Sequence, residues 1–469
     1  MAAHSPIVHR TELPHPLPAC KNGIHSLPML EHFGGLYKTD RSPPCQRLHN
    51  SDTKHQANEP PFAAFPSSSL FRQRFNLVMS ILRLFLALNW FFLGLTFPIE
   101  VAFTGNVSTT GHLAHTLAGL KTLEQWYNPD TGLWGGWWTS ANQLTTVADF
   151  ASMNPDFRPT VLGLFQNTFT KAPGHKVGQI KVNNVTTVDT YYWPNIPVSL
   201  GTPLPESNGD WLNWFYDDEG WWALGWLKVY DITNDTAYLN AAIDIFDDMV
   251  KGWGATCGGT WWNKAHEANV AISNELFLAV AAQLANRAQT KAAKAFYLGW
   301  AVKQWRWFSN SGLINADYNI NDGLDLKTCQ NNRGIVWSYN AGVILGGLVE
   351  LNKAQPDKYL LVTAQKIATA AIKKLSDKNG ILHDVCEPDC GNDGPQFKGI
   401  FMRNLQVLQQ AMPNANFAKF IEENADSIWI NARGPGDRLD LVWSGPYKSA
   451  TASTQSSALD ALVAAVAIT

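Results

Sequence analysis

Ser311-Gly312-Leu313-Ile314 is a short turn after a helical stretch, and it resembles turns at Thr131-Gly132-Leu133-Trp134, Gly258-Gly259-Thr260-Trp261 and Asn379-Gly380-Ile381-Leu382. The glycine in each turn suits the left-handed conformation of a helix C-cap, and the apolar residues after it can fold back onto a core. Repeats of helix, glycine turn and helix predict stacked hairpins, because each hairpin needs neighbours to bury its apolar face.

Helical periodicity begins near residue 107, and few segments alternate as strands do. We predict an all-α protein with helices near residues 107–126, 141–153, 157–168, 219–230, 236–251, 267–286, 290–309, 334–353, 357–375, 397–411, 415–431 and 453–468. As six helical hairpins they can close into an (α/α)6 barrel, with an open solenoid as the alternative. The polar loops around the glycine turns would gather at one end, where we expect the substrate cleft.

The first hundred residues lack this pattern. Residues 1–78, rich in Pro, His and Ser, are predicted to be a disordered extension or a gene-model artefact. Residues 79–102 hold a basic start and an apolar run, as in a secretory signal peptide. Either this run is a signal-anchor, or translation starts at Met79; the run is shorter than the ~20 residues of a usual span, which favours the second. The catalytic domain is then 103–469.

The amino-acid composition indicates which classes of binding partner to expect. Charged residues reach only 16% and the net charge is −3, so we expect no nucleic-acid partner. The 20 Trp, 23 Phe and 12 Tyr are the unusual feature. Several lie beside Gly, Asn and Asp, as in Trp134-Gly-Gly-Trp137-Trp138, which is typical of loops and clefts. Core packing and stacking on sugar rings both remain open at this point.

The six cysteines and twelve histidines predict disulfides rather than a metal site. Cys386 and Cys390 can bridge a tight loop, and Cys257 and Cys329 can pair across two loops; the other two are Cys20 and Cys45. No Cys/His spacing resembles a zinc site and the histidines form no cluster, so we expect no metal and no cofactor. The sequons at Asn106, Asn184 and Asn234 become glycosylation sites only if the chain is secreted.

The segment Asn213-Trp-Phe-Tyr-Asp217-Asp218-Glu219-Gly-Trp-Trp222 places three consecutive acids among aromatic residues, just before a helix. Acids are also common at helix N-termini, where they meet free N–H groups, so capping is the simpler explanation. The aromatic frame favours glycoside hydrolysis, which uses two carboxyls about 5–5.5 Å apart in retaining enzymes and ~6.5–9.5 Å apart in inverting ones. Adjacent acids on an irregular loop suit the shorter distance and a retaining mechanism.

The chain resembles glycoside hydrolase family 76, the α-1,6-mannanases, over residues 107–469. The matching segments, in order, are Trp137-Trp-Thr-Ser-Ala-Asn142, Tyr216-Asp-Asp-Glu-Gly-Trp-Trp-Ala-Leu, Gly259-Thr-Trp-Trp-Asn263, Ala271-Ile-Ser-Asn-Glu275-Leu, Trp337-Ser-Tyr-Asn340-Ala-Gly-Val-Ile-Leu-Gly-Gly-Leu, Phe397-Lys-Gly-Ile-Phe-Met-Arg403 and Thr454-Gln-Ser-Ser-Ala-Leu-Asp-Ala-Leu. The resemblance implies an (α/α)6 barrel that hydrolyses α-1,6-mannosidic bonds in mannan with retention. It also implies Asp217 as the nucleophile and Asp218 as the general acid/base.

Eight further residues are candidates for substrate binding, and each has a structural alternative. Trp138 can pack under the first hairpin, Asn274 can cap a helix, and Asp322 can belong to an ordinary turn. The candidates are Trp138, Asn142, Trp262, Asn274, Asp322, Trp337, Tyr339 and Asn340.

Three other functions compete with the endo-acting hydrolase. They are a transglycosidase on GPI-anchor or cell-wall mannose glycans, a non-catalytic glycan-binding protein, and a barrel enzyme for anionic sugars. The acidic and aromatic loops argue against the last of these. No C-terminal anchor signal is recognisable, so we expect a secreted monomer of the extracellular space or cell wall.

Overall fold

The structure is a computed structural model that describes residues 111–176, 180–182, 185–187 and 211–468. The predictions for residues 1–78 and 79–102, for Cys20 and Cys45, and for the sequons at Asn106 and Asn184 lie outside these residues. The helices are α1 (His112–Leu123), α2 (Trp137–Met153), α3 (Arg158–Lys171), α4 (Tyr216–Thr233), α5 (Thr236–Lys251), α6 (Ala271–Arg287), α7 (Lys291–Asn310), α8 (Ser338–Ala354), α9 (Lys358–Leu375), α10 (Phe397–Ala411), α11 (Ala415–Asn431) and α12 (Ala452–Ile468).

Strands are few in this part of the chain. The pairs β1 (Ile180–Val182) with β2 (Val185–Thr187) and β3 (Arg433–Gly434) with β4 (Arg438–Leu439) are both antiparallel. The prediction of an all-α protein with twelve helices is therefore confirmed for the described residues.

The even-numbered helices form a closed inner ring. Each of α2, α4, α6, α8 and α10 packs against the next even-numbered helix, and α12 packs against α2. Inner helices such as α6 bury residues on every side, whereas outer helices such as α9 bury a single face. The contact between α12 and α2 closes the (α/α)6 barrel and excludes the open solenoid.

Two glycines allow the inner helices to approach closely. A Cβ atom on Gly342 of α8 would lie 2.6 Å from the Cα atom of Phe401 in α10. A Cβ atom on Gly399 of α10 would lie 2.5 Å from the Cα atom of Ser457 in α12. Any larger residue at either position would push neighbouring backbones apart, so these glycines set the spacing of the ring.

The glycine turns have the predicted backbone conformation, and one of the four has the predicted position at a helix C-terminus. Gly132, Gly258, Gly312 and Gly380 all have positive φ, between 71° and 85°. Gly312 directly follows Ser311, the C-cap of α7, so the C-cap prediction is confirmed there. Gly132, Gly258 and Gly380 lie further beyond the preceding helix, in loops closed by the isolated antiparallel bridges Asn128–Leu133, Trp253–Thr260 and Ser376–Leu382. The C-cap prediction was wrong for these three glycines, because each helix ends several residues before its glycine.

The two ends of the barrel differ in their connections. The loops that precede inner helices are long, including 252–270, 311–337, 376–396 and 432–451. We call this the long-loop end. The opposite end, where inner helices lead into outer helices, has connections of four residues or fewer, and we call it the short-connection end.

Both predicted disulfides form at the long-loop end. Cys257–Cys329 joins the loop 252–270 to the loop 311–337, and Cys386–Cys390 closes a tight turn. None of the helices that the structure describes is both long and apolar enough to span a membrane.

Candidate active site

Asp217 and Asp218 lie in the first turn of α4, whose N-cap is Phe215. Both are buried, with exposed fractions of 5% and 7%. The prediction of an irregular loop before a helix near residue 219 was wrong, because the helix already begins at Tyr216. Free N–H groups and the positive end of the helix dipole stabilise carboxylates at this position.

Asp217 contacts the loop that carries Trp262. The indole Nε1 of Trp262 donates a hydrogen bond to Asp217 Oδ2 at 3.0 Å. The carbonyl of Trp262 accepts from the backbone N–H of Tyr216 at 3.1 Å, and its ring packs on Phe215 with centroids 4.9 Å apart. Trp262 is thus fixed against the start of α4, and its N–H stabilises negative charge on Asp217.

Asp218 has different surroundings. Its Oδ2 accepts from the side-chain amide of Asn213 at 2.8 Å. Asp218 also borders a cavity of about 550 Å³, together with Trp126, Trp134, Trp138 and residues from the loops near 391 and 451. Trp138 is held in this wall because its Nε1 donates to Asp393 Oδ1 at 2.9 Å. The two adjacent acids thus accept hydrogen bonds from different donors, Asp217 from Trp262 and Asp218 from Asn213.

The buried side chain of Glu219, the third acid, contacts Asn213 and Lys264. It is fully buried, its Oε1 accepts from the backbone N–H of Asn213 at 2.7 Å, and it pairs with Lys264 at 2.8 Å. Burial raises the pKa of the Glu219 carboxyl, and the Lys264 ammonium opposes that rise. Lys264 also pairs with Asp248 at 2.7 Å. Sequence reasoning missed Asn213 and Lys264, although Asn213 opens the quoted segment.

Four of the predicted binding residues lie around the start of α8. Asn340 Nδ2 donates to Asp322 Oδ1 at 3.4 Å, and Tyr339 stacks on Phe397 with centroids 3.9 Å apart. Trp337 packs edge-on against the same Phe397 ring at 5.5 Å.

Tyr339 lies between this group and Asp217 of the acid pair. Burial raises the pKa of the Tyr339 phenol well above its usual value, and nearby carboxylates, first Asp322 and then Asp217, raise it further. Tyr339 therefore lies within electrostatic reach of Asp217 as well as of Asp322.

Asn142 and Asn274 lie in the interior rather than at a surface. Arg403 donates to Asn142 Oδ1, and Asn142 Nδ2 donates to the carbonyl of Trp138 at 3.3 Å. Asn274 is fully buried; its Oδ1 accepts from Thr260 N at 2.7 Å and its Nδ2 donates to the Thr260 carbonyl at 3.0 Å. Both side chains are bonded to the loops or helices that carry the predicted cleft residues.

Many of the tryptophans form the core beneath the site. Trp137 packs on Trp211 and Trp222, and Trp222 stacks on Trp226. Part of the aromatic excess in the composition is therefore core. No group of three or more His, Cys, Asp or Glu residues that could hold a metal ion occurs in the described part of the chain.

The family model described as glycosyl hydrolase family 76 matches residues 133–468. The chain belongs to glycosyl hydrolase family 76. The match begins before α2 and ends at α12, so it includes the whole inner ring and both acids of α4.

Among relatives within the family, the mannan endo-1,6-alpha-mannosidase DCW1 of Candida albicans is 26% identical over 252 residues, which are 48% of this chain and 55% of that protein. The mannan endo-1,6-alpha-mannosidase DFG5 of Saccharomyces cerevisiae is 25% identical over 216 residues, 42% of this chain and 46% of that protein. The matches thus span about half the length of these relatives.

Solved structures share the fold. The GH76A α-1,6-mannanase of Salegentibacter sp. HEL1_6 has a TM-score of 0.60 at 19% identity, covering 76% of this chain and 99% of that one. An inactive variant of that enzyme, with two consecutive aspartates replaced by alanine, is in complex with an α-1,6-mannotetraose and has a TM-score of 0.62. Dfg5 of Chaetomium thermophilum, in complex with glucosamine, has a TM-score of 0.60 at 16% identity, covering 76% and 90%.

Proposed function

We propose that this protein is a retaining glycoside hydrolase that cleaves α-1,6-mannosidic bonds within mannan chains. The observation that carries the proposal is a pair of adjacent, buried carboxyls with separate surroundings. Asp217 accepts an indole N–H, and Asp218 borders a cavity walled by tryptophan. A double displacement needs this asymmetry, because one carboxyl must begin ionised and the other protonated.

In the proposed reaction Asp217 attacks the anomeric carbon, and the bond from that carbon to the glycosidic oxygen breaks. Asp218 gives its proton to the departing oxygen. Water then attacks the mannosyl ester, Asp218 accepts the proton of that water, and Asp217 leaves as a carboxylate. Two inversions at the anomeric carbon retain its configuration.

The cavity beside Asp218 supports a neutral glycan as substrate. Its volume of about 550 Å³ is within the ~300–1,000 Å³ of pockets that hold small ligands. Its lining combines tryptophans, glycines and small neutral polar residues, and Asp218 is the charged residue in that lining. An enzyme for anionic sugars would place basic residues there.

We further propose that Trp138, Trp262, Asp322, Trp337, Tyr339 and Asn340 contact the sugar chain. Their positions support this, because each lies beside Asp217, Asp218 or Tyr339 at the long-loop end. Asn142 and Asn274 would act indirectly, since their amides are bonded to protein groups.

Secretion is also part of the proposal. Two disulfides are typical of proteins folded in an oxidising compartment. The sequon residue Asn234 is exposed at the C-cap of α4, where a glycan would meet no steric barrier from the helix.

Incubation of the purified protein with unbranched α-1,6-mannan tests the proposal. We expect short α-1,6-linked oligosaccharides from the wild type and none from Asp217→Asn or Asp218→Asn. Glycan binding without turnover by the wild type would instead identify a binding protein.

A glycan acceptor in place of water is the second candidate function. The glucosamine bound to the Chaetomium thermophilum relative and the size of the cavity beside Asp218 favour it. Adding a glucosamine-containing mannoside acceptor to the same assay separates the two. Transfer products in excess of free oligosaccharide would assign the protein as a transglycosidase.

A further inference from the structure

Glu275 is a buried carboxyl that the proposed mechanism does not use. It lies in the second turn of α6 and is fully buried. Neither Oε1 nor Oε2 has a hydrogen-bond partner among the described residues, and the same is true of Oδ1 of Asn340 on α8. Buried oxygens without donors are costly and rare, so three in one region require an explanation.

The backbone places Glu275 beneath Asp322. The carbonyl of Asp322 accepts from the N–H of Ala271, the first residue of α6, at 2.8 Å. Glu275 follows Ala271 by four residues and therefore lies one turn deeper on the same helix face. Asn340 joins this group because its Nδ2 donates to Asp322 Oδ1.

Asp322 contributes negative charge near Glu275. The neutral phenol of Tyr339 is also near Glu275, and Asp217 of α4 and Asp393 act on the same phenol.

Two cations near this end of the barrel pair with other groups. Lys264 is held by Glu219 and Asp248, and Lys303 of α7 lies over the rings of Trp253 and Trp300. An ionised Glu275 would be a buried charge without a donor, and no cation is among the described groups that shift its pKa.

We propose that Glu275 is a positioning residue that keeps its proton and donates it to the Asp322–Asn340 pair, holding both side chains toward the substrate. This proton gives the Glu275 carboxyl, which otherwise lacks a partner, a hydrogen bond. It also gives an acceptor oxygen of the Asp322–Asn340 pair a donor. The inference rests on the proposed function, because the pair is assigned to substrate contact there.

The proposal has a consequence for pH. Burial, followed by the negative charge of Asp322, raises the pKa of Glu275 well above its ordinary 4.5. The unfolded chain releases this proton above about pH 4.5, whereas the folded protein keeps it. The contribution of Glu275 to stability is therefore fully present below pH 4.5 and is lost as the pH rises toward the folded-state pKa.

Three variants of the full chain test the positioning role by kcat/KM on α-1,6-mannan across pH. Glu275→Gln keeps a donor and cannot ionise, so we expect wild-type kcat/KM at pH 6. At alkaline pH its kcat/KM should begin to decline at a higher pH than that of the wild type. Glu275→Met fills the space without a donor and should lose about tenfold in kcat/KM, the effect of one hydrogen bond to a charged group. Glu275→Asp should fall between them. An inactive Glu275→Gln, or a Glu275→Met with wild-type kinetics, would overturn the positioning role.

Thermal unfolding tests the proton independently of activity. The Tm of Glu275→Gln relative to the wild type should rise between pH 5 and pH 8, because only the wild type loses stability over that range. A Tm difference that stays constant with pH would show that Glu275 is not protonated. This measurement needs no turnover, so it decides the inference even if α-1,6-mannan proves not to be the substrate.

Discussion

The acid pair at the long-loop end of the barrel and the acids that line the short-connection end have different hydrogen-bond and ion-pair partners. At the short-connection end a second cavity of about 300 Å³ is lined by acids that pair with cations: Asp149 with Lys228 at 2.7 Å, Glu350 with Lys353 at 2.8 Å and Asp460 with Arg403 at 3.2 Å. At the long-loop end Asp217 and Asp218 accept from the neutral N–H groups of Trp262 and Asn213.

This difference indicates at which end of a ring of parallel inner helices catalysis can occur. An acid paired with a cation, such as Glu350 with Lys353, is stabilised as an anion and serves packing. Neutral donors at a helix N-terminus suit the proposed roles of Asp217 and Asp218, in which one carboxyl attacks a carbon and the other exchanges a proton. The segments that precede α4 and α6 supply those neutral donors.

The largest expected effect is on kcat, and it is tested by comparing one aspartate from each end of the barrel. Asp217→Asn should lower kcat on α-1,6-mannan by about a thousandfold or more, as loss of a nucleophile does. Asp149→Asn, an equally conservative change on an inner helix, should leave kcat unchanged. Steady-state kinetics on both proteins, with circular dichroism to verify folding, makes the comparison. Equal losses in the two variants would show that the ends do not differ as argued.

The second prediction concerns the disulfides that join the long loops. Cys257–Cys329 closes a sequence separation of 72 residues and Cys386–Cys390 one of 4. Loop-closure entropy gives the first about 4 kcal/mol and the second about 2 kcal/mol of unfolding free energy. Serine pairs at each disulfide, compared by denaturant unfolding, test this. Because Cys257–Cys329 ties the loop of Trp262 to that of Asp322, its loss should also lower kcat/KM; unchanged kinetics would refute that link.

A smaller effect tests the neutral donor to Asp217. Trp262→Phe keeps an aromatic ring but removes the N–H, and we expect kcat/KM to fall about tenfold. Trp261→Phe is the matched control, since Trp261 stacks on His266 at 4.9 Å instead. If both variants lose activity equally, ring packing rather than the hydrogen bond explains the role of this loop.

The smallest effect belongs to the short-connection end. Lys353 is 55% exposed and pairs with Glu350 at i,i+3. Lys353→Met should change the unfolding free energy by no more than about 0.5 kcal/mol, as for other exposed pairs, with no change in kcat. A loss of several kcal/mol would mean that this end depends on its surface charges.

Sequence alone predicted the barrel well because its signals are local. Helical periodicity and glycine turns repeat along the chain, and the twelve helices follow from them. Boundaries failed at α2 and α4, which begin at Trp137 and Tyr216 rather than near 141 and 219. Tryptophans and acids in those first turns were assigned to loops, since they lack the apolar spacing of a helix body.

The site could be predicted only in part because its partners come from distant segments. The acid pair is visible in ten residues of sequence. Its asymmetry is not, because Trp262 is 45 residues from Asp217 and Asp393 is 255 residues from Trp138. The amide of Asn274, a predicted binding residue, is bonded to the backbone of Thr260, a contact that no local pattern indicates.

The stereochemistry of the first product tests the central claim most directly. Proton NMR can follow the anomeric signal of the oligosaccharide released from unbranched α-1,6-mannan before mutarotation. The double displacement by Asp217 and Asp218 predicts that the new reducing end appears first as the α-anomer. Initial formation of the β-anomer would contradict it and would assign Asp217 as a base acting on water.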